Sequence, residues 1–244
     1  MHLPRFFFDA DLKIGNRISL DENLSKRIIK VLRLKKDCSL ILFHGRGGEF
    51  VCTIVATHKH SVEVSVDTFQ SVNRESLPDI HVGLGISRGE KMDYAIQKAV
   101  ECGVHSITPL FTEFCNVKLT NERAQARLHH WHNVVVSAVE QCGRTRVPKI
   151  YLPQPFLEWI KKDHSVLKII CDTETKQNLS KECANYNNSP VYLLIGPEGG
   201  FSPEEKQRAK QENFFSLSLG PRILRTETAP VVAITLLQHC LKHL

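Results

Sequence analysis

Two short apolar runs near the C-terminal end, each halted by a glycine loop, constrain this chain more than any other feature. The first, Val191-Tyr192-Leu193-Leu194-Ile195, stops at Gly196-Pro197-Glu198-Gly199-Gly200. The second covers residues 214–219 and ends in Gly220-Pro221-Arg222-Ile223-Leu224-Arg225-Thr226-Glu227-Thr228-Ala229. Between them, Ser202, Pro203 and Glu205 mark a helix start: an N-cap, a proline at the first helical position and the acid of a capping box. Apolar runs bounded by loops read as strands buried on both faces. In an open α/β sheet, ligands bind in the crevice beyond the strand C-termini. These two loops are therefore the expected site.

The rest of the chain changes rhythm once. Up to about residue 70 it reads as mostly β, with strands over 18–20, 38–43, 49–57 and 61–68 and a glycine turn at 45–48. The alternation of Val62, Val64 and Val66 is that of a half-buried strand. A helix capped by Asp21 is expected to run to Leu32, with Leu24, Ile28, Ile29 and Leu32 on one face. Residues 70–79 are polar, contain Pro78 and lack apolar periodicity, so they read as a domain junction. Beyond them strands alternate with helices: a strand over 80–84, a helix over 90–102, a strand over 106–110, a long helix over 121–142. A short helix from Pro155, a strand over 166–171 and a helix over 176–184 follow. That order predicts a parallel sheet with helices on both faces. The expected organisation is a small β-barrel over 1–72 and an α/β domain over 73–244.

Charge narrows the partners. Lys and Arg outnumber Asp and Glu by 32 to 26, which permits a polyanionic partner without demanding one. Lys26, Arg27, Lys30, Arg33, Lys35 and Lys36 fall in eleven residues without an acid, and Arg5, Arg17 and Arg46 add to them. A merely solvated helix face usually carries interspersed acids, so this run predicts a surface for nucleic-acid phosphates. The eight cysteines form no CxxC pair, and in the one tempting cluster, His129-His130-Trp131-His132, adjacent helix residues point in different directions. No metal site is expected. With no cationic-then-apolar leader and no membrane-spanning run, a soluble cytoplasmic protein is expected.

The two loops are poor phosphate cradles. Ser202 and Glu205 already satisfy the free N–H groups of the helix that follows, and Glu198, Glu204 and Glu205 repel phosphate. Neither GxxxxGK[ST] nor a GxGxxG between strand and helix occurs; residues 83–89 carry glycines at the wrong spacing. The ligand should be flat and uncharged or cationic. Gly196, Gly200 and Gly220 let the backbone approach an adenine-like ring, and Leu194, Leu217, Leu219, Ile223 and Leu224 can sandwich it. S-adenosylmethionine has these properties: adenine, no phosphate and a sulfonium.

Four segments carry a resemblance. They are Lys91-Met92-Asp93-Tyr94-Ala95-Ile96-Gln97-Lys98-Ala99-Val100-Glu101-Cys102-Gly103, Glu140-Gln141-Cys142-Gly143-Arg144-Thr145-Arg146-Val147-Pro148, the loop 195–201 and the loop 219–229. With Pro4-Arg5-Phe6-Phe7 and Val31-Leu32-Arg33 they resemble the RsmE-type 16S ribosomal RNA uridine-N3 methyltransferases of the SPOUT superfamily. Cys102, Cys115 and Cys142 stand where the family is expected to carry Leu or Ser, and no charged or glycine position is lost.

The resemblance implies a C-terminal domain with a deep trefoil knot that binds S-adenosylmethionine, a PUA-like N-terminal domain, and a homodimer with the site near its interface. The apolar helix 231–237 is wide enough to bury a second face against a partner. Pro197, Glu198, Thr228 and Ala229 join the cofactor-binding set with the loops that contain them. N3 of uracil carries a proton and must lose it. Arg225 is expected to stabilise the negative charge that develops on the ring, with Glu227 either orienting Arg225 or accepting the proton. The alternative for this pair is an ion pair that only shapes the loop. Arg144 and Arg146 are further RNA contacts, on a single-stranded or splayed uridine of 16S rRNA within the small ribosomal subunit or its late precursor. The rival readings are a non-catalytic RNA-binding dimer and a SPOUT enzyme acting on another nucleotide, such as a tRNA ribose hydroxyl.

Overall fold

The computed structural model describes residues 3–115, 121–161, 167–175, 186 and 189–241. The helix expected over 176–184 lies outside the described residues. The chain divides into two compact units, Met1–Glu75 with Val139–Val147, and Ser76–Ala138 with Pro148–Leu244.

The first unit is built on a five-stranded sheet in the order β1-β3-β4-β5-β2. Its strands are β1 (Arg5–Phe7), β2 (Arg17–Ser19), β3 (Ser39–Phe43), β4 (Glu49–Thr57) and β5 (Val62–Gln70). β1 lies parallel to β3, and the other pairs are antiparallel. Val62, Val64 and Val66 alternate into a core with Phe6, Leu40, Leu42 and Ile54, as the sequence pattern requires.

The helix after Asp21 departs from expectation. Asp21 caps α1 (Glu22–Lys26) by accepting the Leu24 N–H at 2.9 Å, but the next turn, Arg27–Val31, is a π-turn. Its wider spacing appears in the Leu32 N–H, which donates to the carbonyl of Arg27. The extra residue rotates the chain, so Leu24 and Ile28 are buried while Leu32 is 44% and Val31 72% exposed. A strict 3.6-residue period does not foresee this shift.

One buried carboxylate anchors this unit. Glu49, 2% exposed, receives Arg5 at 3.0 and 3.2 Å and Arg74 at 3.1 and 3.2 Å. Arg5 also donates to the carbonyls of Val139, Glu140 and Arg144, and Glu75 holds Arg144 through Nε at 2.8 Å. The segment 139–147 is thus fastened by guanidinium groups facing carboxylates and carbonyls, the partners a buried charge needs.

The second unit is a parallel sheet in the order β12-β10-β11-β6-β7-β8, with β9 beside β7. The strands are β6 (Ile80–Gly85), β7 (Ser106–Phe111), β8 (Lys149–Ile150), β9 (Gln154–Pro155), β10 (Leu167–Cys171), β11 (Val191–Ile195) and β12 (Phe215–Leu217). The helices are α2 (Glu90–Glu101), α3 (Asn121–Cys142), α4 (Phe156–Trp159), α5 (Pro203–Gln211) and α6 (Ala229–Cys240); the last turn of α3 belongs to the first unit. On α2 the buried residues are Met92, Ala95, Ile96, Ala99 and Val100, the expected face. The Gln238 amide of α6 donates to the Cys102 carbonyl at 2.8 Å and ties α6 to α2. No helix among the described residues is long and apolar enough to cross a membrane.

Burial alone would raise the Glu49 carboxyl, but the guanidinium groups of Arg74 and Arg5 outweigh it and hold the carboxyl below its usual range. The lowered folded value means that stability is whole above the ordinary glutamate range and is lost as pH falls through the folded value. Glu49→Ala is expected to cost about 3 kcal/mol by removing the carboxylate that Arg5 and Arg74 share, leaving them only backbone carbonyls. It should also remove that share of the acid dependence, both read by urea unfolding across pH.

Candidate active site

Strand register assembles the site. Ile195 of β11 pairs with Leu84 of β6, so Gly196 and Pro197 follow level with Gly85. Ile170 of β10 pairs with Leu194, and Cys171 with Leu217 of β12. The loops after β7, β10, β11 and β12 therefore leave the sheet at one edge, its C-terminal edge, as the crevice rule requires. They enclose a cavity of about 900 Å³. Its wall comprises Phe114, residues 171–174 and 195–201, and most of 219–229, with Lys91 of α2 and Lys206 of α5.

Glycine permits the tightest approach. A Cβ on Gly85 would stand 2.4 Å from Cδ and 2.5 Å from the backbone nitrogen of Pro197. The loop after β11 thus lies directly against the backbone of β6. Gly200 and Gly220 have φ of +70° and +106°, and nothing lies within 4 Å of where their Cβ atoms would be, so the cavity is open above both. The capping box forms as the sequence predicts: Ser202 Oγ accepts the Glu205 N–H at 3.2 Å, and Glu205 Oε2 accepts the Ser202 N–H at 3.0 Å.

Of the expected cofactor residues, Gly196, Pro197, Glu198, Gly200, Leu219, Gly220, Ile223, Leu224 and Ala229 line the cavity. Leu194 and Leu217 do not. Leu194 is fully buried with Phe156, Trp159 and Phe201, because neighbouring strand residues face opposite sides and Ile195 takes the cavity side. Leu217 is the last residue of β12 and is 1% exposed; the cavity begins two residues later. Thr228 is the N-cap of α6 and lies outside the wall. Sequence reading missed Lys91, Phe114, Asp172 and Lys206. Asp172 and Phe114 each follow a strand C-terminus, so the rule that found the two glycine loops would have found them too.

The wall is charged but mostly paired. Lys206 lies 2.8 Å from both Asp172 and Glu174, and Lys91 lies 3.4 Å from Glu198. Burial acts to raise the Glu198 carboxyl, but backbone N–H donors and Lys91 outweigh it and set it below its usual value. Burial pushes the Cys171 thiol up to about 12, so this wall cysteine stays protonated at neutral pH. Glu227 stands apart. Its side chain is 17% exposed, and its Oε2 is buried with no hydrogen-bond partner among the described residues. Arg225 is 84% exposed, and its Nη1 lies 4.0 Å from Glu227 Oε1, beyond hydrogen-bond distance. A buried acceptor left without a donor is costly and calls for an explanation.

Residues 73–238 match the family model described as an RNA methyltransferase domain, and residues 28–67 match an RNA methyltransferase PUA domain. The chain is 40% identical to a ribosomal RNA small subunit methyltransferase E from Buchnera aphidicola, over 97% of this chain and 96% of the relative. This chain belongs to the ribosomal RNA small subunit methyltransferase E family. A second member, from Bacillus subtilis, is 28% identical over 87% of this chain and 86% of its own. Among solved structures, a putative methyltransferase from Legionella pneumophila in complex with bound cofactor SAM superposes with a TM-score of 0.92 at 36% identity, covering 98% of each chain. The family enzyme from Neisseria gonorrhoeae, bound to S-adenosyl methionine, gives 0.89 at 34% identity, again over 98% of each chain.

The basic residues of the first unit separate into two groups. Arg144, buried, and Arg5, 12% exposed, meet the carboxylates and carbonyls already named, so they hold the unit together instead of facing outward. Arg27 meets Glu140 at 2.6 Å and lies over the Phe6 ring, while Lys26 pairs with Glu22 at 2.8 Å. Lys30, Arg33 and Lys35 are exposed, and among the described residues no ion pair engages them. Arg146 is exposed too, with its N–H held by Glu75 at 3.0 Å.

Gly85→Ala is expected to drive the loop after β11 off the β6 backbone, at a cost of about 1–3 kcal/mol. Hydrogen exchange should show faster exchange at 196–201 with little change in the first unit.

Proposed function

We propose that this chain uses S-adenosylmethionine to methylate N3 of a uridine in the decoding region of 16S ribosomal RNA. The observation that carries the proposal is Glu227: among the described residues, three of the four wall carboxylates meet lysines, and Glu227 keeps a buried oxygen without a donor. A proton acceptor for N3 requires such a group. The wall also fits the cofactor. Its volume lies within the range of small-molecule sites. The open faces over Gly200 and Gly220 admit a flat ring, and Leu219 and Leu224 supply apolar contact.

When bound, the cofactor supplies an electrophilic methyl group on a cationic sulfur. The residues of this chain do the rest. Glu227 takes the N3 proton, directly or through water. Arg225, whose guanidinium meets no partner at hydrogen-bond distance among the described residues, offers it to the negative charge that spreads over the uracil carbonyls. The loops would hold N3 positioned for the transfer, which lowers the barrier by orientation. The 4.0 Å separation and exposure of Arg225 weigh against a loop-shaping ion pair.

The same reading assigns RNA to a PUA-like barrel over 1–72, through Lys30, Arg33 and Lys35, and catalysis to 73–244, from which Arg146 adds a further RNA contact. It includes a trefoil knot. The return of the chain from edge strand β12, past the ends of β10 and β11, to α6 against α2 supports that topology. It also includes a cytoplasmic homodimer, for which the half-buried Val231, Val232 and Leu236 on α6 offer an apolar face.

Mass mapping of 16S rRNA from a deletion strain should show one uridine lighter by a methyl group; an unchanged map would end the proposal. Arg225→Ala should lower turnover on the order of 100-fold with cofactor affinity nearly unchanged. Loss of cofactor binding alone would contradict the role given to Arg225. Lys30→Glu with Arg33→Glu should weaken RNA binding about tenfold or more and leave cofactor binding intact, checked by filter binding and calorimetry.

A further inference from the structure

Phe114 is an aromatic side chain for which neither the fold nor the reaction scheme has a use. It lines the cavity yet remains 42% exposed. Its backbone is firmly held. The Cys115 N–H closes a turn on the Thr112 carbonyl at 3.0 Å, and Cys115 Sγ reaches the Ile86 carbonyl at 3.5 Å. The Glu113 N–H donates to Glu205 Oε1 at 2.9 Å. Glu205 is 8% exposed, and its other oxygen holds the Ser202 N–H. One buried carboxylate therefore locks the loop after β7 to the loop after β11. Phe114 also packs closely on Gly199, where a Cβ would come within 2.8 Å of the Phe114 Cβ.

An exposed ring on a loop fastened from three sides is a rigid apolar platform. A base taken out of its stack needs a flat partner for its π-face. The cofactor already has the open glycine faces inside the cavity; the Phe114 ring faces what arrives from solution. We infer that Phe114 is the stacking platform for the target uracil, and that Glu205 is a positioning residue that fixes the loop carrying it. The inference rests on the proposed uridine methylation.

The test uses the full chain, small ribosomal subunits from a strain lacking the enzyme, and radiolabelled S-adenosylmethionine. Phe114→Ala and Phe114→Leu should each lower kcat/KM for the subunits on the order of 10- to 100-fold, while Phe114→Tyr stays within about threefold of wild type. Cofactor affinity by calorimetry should not move in any of the three. Glu205→Gln should shift kcat/KM in the same direction, and combining it with Phe114→Ala should add little, since both act through one ring. Where Glu205→Gln fails to fold, the Phe114 series decides alone. Wild-type activity in Phe114→Leu would overturn the inference. So would a cofactor affinity that falls in Phe114→Ala while the KM for subunits stays put, because the ring would then be a cofactor wall. A wild-type protein that methylates no uridine of these subunits would instead remove the reading of function on which the platform depends.

Discussion

Backbone lies on backbone where Gly85 meets Pro197, and the cavity depends on that contact. In a parallel sheet every loop at the C-terminal edge competes for the same small area above the strands. The register of β6 and β11 brings the loop 196–200 directly over the end of β6. A side chain on Gly85 would force that loop to shift, because its Cβ would stand 2.4 Å from Pro197 Cδ and 2.5 Å from the Pro197 nitrogen. With hydrogen at this position the loop settles low, the capping box of α5 closes behind it, and the space above Gly200 and Gly220 is left open. The cavity is thus a consequence of loops packed tightly on one side and kept apart on the other.

Charge is sorted by the same need for partners. A guanidinium removed from water must meet carboxylates or carbonyls, and Arg5 and Arg144 do so within the first unit. Lysines and arginines that stay in water have no such obligation, as at Lys30, Arg33 and Lys35. Composition counts all of these as one basic patch, although burial gives them two different tasks. In the second unit Lys91 and Lys206 pair with three wall carboxylates, whereas Glu227 keeps a buried oxygen that meets no donor among the described residues, which makes it chemically distinct.

Much of the architecture was legible from pattern alone. The strand–helix alternation after residue 80, the face of α2 and the Ser202–Glu205 capping box all follow from local periodicity and capping chemistry. The two glycine loops were found because strand ends and glycines are local signals. The π-turn at Arg27–Val31 was not legible, since no residue type in the run signals the one-residue surplus and Leu24 and Ile28 keep the spacing of a regular helix. Lys91 and Lys206 were not legible because they lie on helices and reach the cavity only through tertiary packing, whereas Asp172 and Phe114 follow strand ends and carry the same local signal as the glycine loops.

The sequence by itself determined the order of the elements, the two loops and the residue types able to do chemistry there, because these depend on neighbours within a few positions. Only the tertiary structure decided which of those residues have partners. Pairing is set by distance between segments as far apart as Arg5 and Glu49, or Glu113 and Glu205, and linear spacing carries no measure of that distance.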